Sequence, residues 1–202
     1  MVAQRSQSYF MSINDWRDLE RHSRDSKHEY IDGQVYAMAG GSRAHGRISS
    51  NVVRTLEDAL GDESLCNVYN SDVAARLSPM RYTYPDTTVT CDECDQAIPD
   101  ETEILSPRVI VEVLSDSTEE YNRGEKFAFY RACPTIQEYV LVATNYQVVE
   151  VYRRTLKGWT EYQVYGPGDE VELRSIDVHF PLAVLYKRTT VPEILDTPEE
   201  EL

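Results

Sequence analysis

Apolar and polar positions alternate with two periods along this 202-residue chain, and the switches between them outline its elements. Ile13, Trp16 and Leu19 recur at helical spacing behind Ser12, with Asp15 three positions on. That capping-box-like start predicts a helix from about residue 12 to about 24. The runs 28–31 and 34–38 flank Asp32-Gly33, a dipeptide suited to the positive φ of a tight hairpin. Gly40-Gly41-Ser42 breaks the chain. Ile48, Val52, Leu56 and Leu60 then repeat every four residues, predicting a helix over 43–60 with Gly61 at its C′ position. Short β-prone runs follow over 66–70 and 73–77. Ser78-Pro79 turns the chain, Thr87 to Thr90 form a further strand, and residues 92–106 read as a loop, acidic from Asp92 to Glu103.

The most apolar stretch, 109–114, is apolar on both alternating phases except at Glu112. Such a run reads as a strand covered on both faces. Ser115 to Thr118 offers caps for a helix that ends near Ala132, before Pro134, and packs through Phe127, Tyr130 and Phe129. Strands over 138–143 and 148–152 flank Thr144-Asn145. Another strand covers 159–165, a short one 178–180, and a helical turn 182–186. No repeat or linker divides the chain. The expectation is one domain over 1–202, with a core over about 12–186 and an acidic tail over 187–202. The class is α/β with α+β character: a mixed β-sheet flanked by helices, with an N-terminal helix and a β-hairpin.

Composition changes this picture little. Apolar residues make up 41% of the chain and charged ones 27%, ordinary for a soluble globular protein. No apolar run approaches the roughly 20 residues of a membrane helix, and MVAQRSQSYF lacks an apolar signal core. The expectation is a cytoplasmic protein with no membrane partner and no organic cofactor. Charge matters more. The net charge of −15 counts against tight non-specific nucleic-acid binding. The bases group at Arg43, Arg47 and Arg54, at Arg123, Lys126 and Arg131, and at Arg153, Arg154 and Lys157. A local basic cleft on an acidic body therefore stays open. Cys91-Asp-Glu-Cys94 is a CxxC without a second pair, whereas zinc usually takes four ligands. Reduced thiols in a loop are expected, with zinc and a redox pair as alternatives.

The candidate chemistry lies in three acids and an amine. A charge inside a doubly buried strand is costly unless paired or metal-bound, which singles out Glu112. Asp86 follows Pro85 at the start of another strand, and Lys126 sits on the helix after the Glu112 strand. Mg²⁺ takes one or two carboxylates plus waters and substrate oxygens. Asp86, Glu112 and the Val113 carbonyl would suit it, with Mn²⁺ as a substitute. Lys126 could orient a water, or take its proton if burial lowered its pKa. Glu29 would be a further acid at the rim. His45 and Arg47, in the first turns of the second helix, are candidate phosphate contacts. Structural readings stand beside each: Asp86 as a turn residue, Glu112 paired with Lys126 or Arg108, Glu29 as an exposed strand residue, His45 as a helix-terminus histidine, and Tyr121, Tyr130 and Tyr139 as core aromatics.

His28-Glu29-Tyr-Ile-Asp-Gly33, His45, Pro85-Asp86, Val111-Glu112-Val-Leu-Ser115, Arg123-Gly-Glu-Lys126 with Tyr130, and Glu138-Tyr-Val-Leu-Val142 together carry a resemblance. From about Ser12 to Tyr186 the chain resembles the Uma-type "putative restriction endonuclease" family of the PD-(D/E)XK nuclease superfamily. The resemblance implies a restriction-endonuclease-like core, Mg²⁺, DNA as substrate and a homodimer. It assigns metal binding to Asp86 and Glu112, and catalysis to Lys126 with Glu29 assisting. The superfamily's usual lysine position, two residues after the acid, is Leu114 here, and the family moves that lysine to the position of Lys126. Similar sequences tend to carry an acid where this chain has Asn122.

The leading expectation is thus a Mg²⁺-dependent DNA endonuclease working through a metal-activated water. The first rival is a catalytically silent nuclease fold serving dimeric assembly or regulatory DNA binding, which the charge favours. A carboxylate enzyme such as a glycosidase ranks last, since it gives Lys126 no role.

Overall fold

The computed structural model describes residues 9–23, 25–38, 40–95, 97 and 102–193. The expected tail segment Pro198 to Leu202 lies outside these residues, as does part of the acidic loop. In chain order come β1 (Tyr9–Phe10), α1 (Ile13–His22), β2 (His28–Ile31), β3 (Gln34–Ala37), α2 (Arg43–Leu60), β4 (Asn67–Asn70) and β5 (Ala74–Ser78). Next are β6 (Arg81–Thr83), β7 (Thr87–Thr90), β8 (Glu103–Ile104) and β9 (Val109–Val113). Then α3 (Glu119–Tyr121) runs through a π-helical turn, Asn122–Lys126, into α4 (Phe127–Ala132). The chain continues with β10 (Glu138–Val142), β11 (Val149–Thr155), β12 (Gly158–Tyr165), β13 (Glu170–Leu173) and β14 (Val178–Pro181).

Local signals explain most of these bounds. Ser12 and Ser42 cap α1 and α2 by accepting from the N–H groups of Asp15 and His45. Asp32 and Gly33, with φ of 51° and 91°, make the β2–β3 turn. Gly61 closes α2 with φ of 70°.

The strands form two six-stranded sheets rather than the single one expected. The first has the order β1-β3-β2-β6-β5-β8 and the second β12-β11-β10-β9-β7-β4, while β13 and β14 pair separately. In the second sheet β9 and β10 run parallel, and all other pairs are antiparallel, so that sheet is mixed. Three short strands, β1, β6 and β13, escaped the sequence reading, and residues 103–104 of the supposed loop pair with β5 as β8.

Three apolar clusters result. Ile48, Val52 and Leu56 of α2 pack on Val89, Val109, Val111 and Val113. Each such buried side chain is worth about 2 kcal/mol. On the other face of the second sheet, Phe127 and Tyr130 cover Ile110 and Leu141. The third cluster joins Trp16 to Tyr30 and Tyr82 beneath α1. The chain passes from the first sheet to the second through Tyr84-Pro85-Asp86, between β6 and β7. The candidate residues gather at that seam.

The expectation of reduced thiols at Cys91 fails. Cys91 is disulfide-bonded to Cys66, while Cys94 is an exposed thiol and Cys133 a buried one. The β4–β7 register pairs Asn67 with Thr90. Continued one step, it sets Cys66 opposite Cys91, a pairing that spacing along the chain does not reveal.

Candidate active site

Four elements bring one group each to the seam. Glu112 lies in the middle of the second sheet, on the face of β9 shared with Ile110, and is buried. Glu29 comes from β2 in the first sheet. It is buried rather than at the rim, and its Oε1 accepts from the Tyr84 N–H at 3.3 Å. Lys126, at the end of the π-helical turn, places Nζ 2.7 Å from Glu112 Oε1 and 3.0 Å from Glu29 Oε1. One ammonium thus ties a carboxylate of each sheet. The π-turn explains how a residue this far from Glu112 in sequence can point inward: one extra residue widens the helix locally and re-aims the side chains after it. The turn is anchored by the Tyr139 hydroxyl, which donates to the Asn122 carbonyl at 3.0 Å.

Asp86 sits one step before β7. The pairing of Thr87 with Val111, continued by one residue, places it beside Glu112. Its Oδ2 accepts from the Val113 N–H at 2.7 Å and lies 3.2 Å from His45 Nε2. Neither Asp86 Oδ1 nor Glu112 Oε2 takes a hydrogen bond among the described residues. In an extended strand the N–H and C=O of one residue point the same way, so the Val113 carbonyl faces the Asp86 side too. Two carboxylates on neighbouring strands and a backbone carbonyl form the hard-oxygen set that Mg²⁺ accepts, with waters and substrate completing it. Among the described residues no group of three or more His, Cys, Asp or Glu side chains is placed to hold a metal ion.

Burial pushes the Glu112 carboxyl up to about 7, reinforced by Asp86 and opposed by Lys126 and the Tyr130 hydroxyl. Burial would lower Lys126, but Glu112 and Glu29 outweigh it and hold the amine well above its ordinary value. Lys126 is therefore an ammonium, able to orient a water or steady an oxyanion but not to take a proton. The hydrogen bond to Asp86 raises His45, against burial. Glu29, Glu112 and Lys126 together bury two carboxyl groups around one ammonium. A hydrophobic replacement of such a cluster is often as stable or more so, so stability alone does not account for it.

Tyr130, read from the sequence as a core aromatic, is part of the site: its hydroxyl donates to Glu112 Oε1 at 2.6 Å. Its position four residues after Lys126, on the same helical stripe, was the available signal. Arg108, the other partner considered for Glu112, instead donates to the Ser175 carbonyl.

Asp86 and His45 line a groove of about 1540 Å³ between α1, α2 and β5. Glu112, Lys126 and Glu29 do not line it. The α2 face that does carries Gly46, Ser49, Ser50, Val53 and Arg54; Arg47 is exposed outside the groove. The basic clusters considered from sequence do not build a basic cleft here. Arg123 pairs with Glu119 and Glu150, Arg153 is buried against Glu138, and Arg154 donates to the carbonyls of Arg131, Cys133 and Ile136. The bases that line the groove are Arg54, from the first of those clusters, and Arg17, Arg21, Lys27 and Arg76. Three of them pair with carboxylates: Arg17 with Glu103 at 2.8 Å, Arg21 with Asp18 at 3.2 Å, and Lys27 with Asp72.

A family model for Uma2, described as "Putative restriction endonuclease", matches residues 13–184. The chain belongs to this family. Two uncharacterised proteins of Synechocystis sp. are related to it. One is 37% identical over 179 residues, 88% of this chain and 92% of the relative; the other is 31% identical over 148 residues, 72% and 83%. Among solved structures, a nuclease of the DUF820 group from Anabaena variabilis, titled as putative, superposes with a TM-score of 0.70 at 19% identity. That match covers 87% of this chain and 97% of the other. The Uma2 chain described here thus has a nuclease-like fold. No helix among its described residues is long and apolar enough to cross a membrane.

Proposed function

We propose that this Uma2 protein is a Mg²⁺-dependent endonuclease that hydrolyses DNA phosphodiester bonds. The observation that carries the reading is the seam itself, where Lys126 joins Glu112 and Glu29 while Asp86 stands beside Glu112. Asp86, Glu112 and the Val113 carbonyl would hold the ion. Bound there, a divalent cation supplies charge neutralisation at the phosphate and a more acidic water. The chain's own groups do the rest. Lys126 has three N–H donors and gives two to Glu112 and Glu29. Its third would be left for a water or phosphate oxygen. Glu29 fixes the amine from the opposite sheet, and Tyr130 holds Glu112 Oε1, leaving Oε2 for the ion. His45, at the first turn of α2, meets the phosphate side of the groove through the positive end of that helix, and Arg54 does so in place of Arg47. DNA as the partner and assembly as a homodimer belong to the same reading.

The test is calorimetry with Mg²⁺ and Mn²⁺, together with cleavage of supercoiled plasmid. Wild type binds an ion, and both Asp86→Ala and Glu112→Ala abolish binding. Lys126→Ala keeps binding and loses cleavage. A wild type that binds no ion removes the basis of this reading. DNA affinity without cleavage would instead favour a regulatory binding module, which the net charge of −15 and the largely neutralised groove make the second reading.

A further inference from the structure

Gly41 touches the site although it has no side chain. It lies at the lead-in to α2, two residues before Arg43, and its φ is outside the left-handed region. Backbone conformation therefore does not call for glycine there. Space does. A Cβ at this position would stand 2.7 Å from His45 Nδ1 and 2.9 Å from its Cγ. The His45 side chain occupies the space a Gly41 Cβ would take, and any larger residue must push the ring away.

The ring's other nitrogen is the one that reaches the site. His45 Nε2 lies 3.2 Å from Asp86 Oδ2, an atom that also accepts the Val113 N–H at 2.7 Å. The Val113 N–H and the close imidazole at one carboxylate oxygen restrict the rotation of the group. They leave Oδ1 as the oxygen turned toward an ion. The helix that carries His45 is itself immobilised. Ser42 caps it at His45 N–H, Ile48 and Val52 are buried in the core, and Asn51 donates to the carbonyls of Leu185 and Lys187.

We propose that Gly41 and His45 are positioning residues for Asp86: the bare Gly41 backbone seats the His45 ring, and the ring aims the Asp86 carboxylate at the cation. This rests on the metal-dependent reading above and deepens it. Partners of this kind behind a ligating carboxylate commonly govern metal affinity by 10- to 100-fold. Gly41 acts through His45 alone, so its effect depends on the ring being there.

The experiment measures Mn²⁺ affinity by calorimetry in wild type, Gly41→Ala, His45→Ala, His45→Gln and the Gly41→Ala/His45→Ala pair. Gly41→Ala and His45→Ala each weaken binding about 10-fold. His45→Gln, which keeps an N–H donor, recovers part of the loss. The double variant binds like His45→Ala, because without the ring Gly41 has nothing to seat. A second readout needs no metal. The His45 ring resonances at one fixed pH shift in Gly41→Ala in the same direction as in Asp86→Asn. Wild-type affinity in Gly41→Ala, or losses that add in the double variant, would overturn the proposal. If wild type binds no ion, the metal reading fails by itself, and unshifted ring resonances in Gly41→Ala would then refute the seating of His45 as well.

Discussion

Lys126 shows what one residue carries in this fold. Its neighbours push it in opposite directions, and the two carboxylates prevail over burial, so it remains charged. The sequence reading left open whether this lysine would orient a water or take its proton; its surroundings select orienting. Glu112 could be recognised in advance because a charge stands out in an apolar run. Tyr130 gave only a fainter signal, its place four residues after Lys126, since nothing in a sequence says where a hydroxyl points. Tyr130→Phe removes one donor from Glu112 and leaves Lys126 in place. We expect a loss of about 1–2 kcal/mol in urea unfolding, with reduced cleavage and unchanged DNA affinity.

At the level of elements, the helix between β9 and β10 is the most informative. Its existence and its end near Ala132 follow from periodicity and Pro134. Its π-turn does not, because a single inserted residue leaves too faint a mark in the hydrophobic pattern. Gly124 lies within that turn with open space around it. Gly124→Ala should therefore stabilise the protein by about 0.5–1 kcal/mol, with metal affinity unchanged by calorimetry. The same helix is tied to β11 by Arg123, which grips Glu150 with both Nη atoms. Burial would raise the Glu150 carboxyl, but hydrogen bonds from Arg123 and Tyr162 outweigh it and hold the group below its ordinary value. A carboxyl depressed in the fold stabilises above its unfolded value, and that contribution is lost as pH falls through the depressed one. Glu150→Gln should accordingly flatten the acid limb of stability against pH, measured by urea midpoints below the ordinary glutamate range. The strands β6 and β13 went unread for different reasons. Three residues are too few to show a period, whereas Glu170–Leu173 does alternate and was masked by its neighbouring turn.

The whole molecule is two sheets between which the chain passes repeatedly, and the Cys66–Cys91 bridge ties the ends of β4 and β7 within the second sheet. The bridge closes 25 residues of chain, so reduction should cost about 3 kcal/mol. We expect dithiothreitol to lower the thermal midpoint of wild type, and Cys66→Ser to show the lower midpoint with no response to reductant. Local order along the chain was enough to determine the helices, the hairpin, the doubly buried strand and the isolated acid within it, since each depends on neighbours a few residues away. Tertiary structure alone decided the division into two sheets, the cysteine pairing, the burial of Glu29 and the neutralisation of the supposed basic clusters. These depend on which surfaces meet across long stretches of chain, and hydrophobic burial, which drives that meeting, carries no direction of its own.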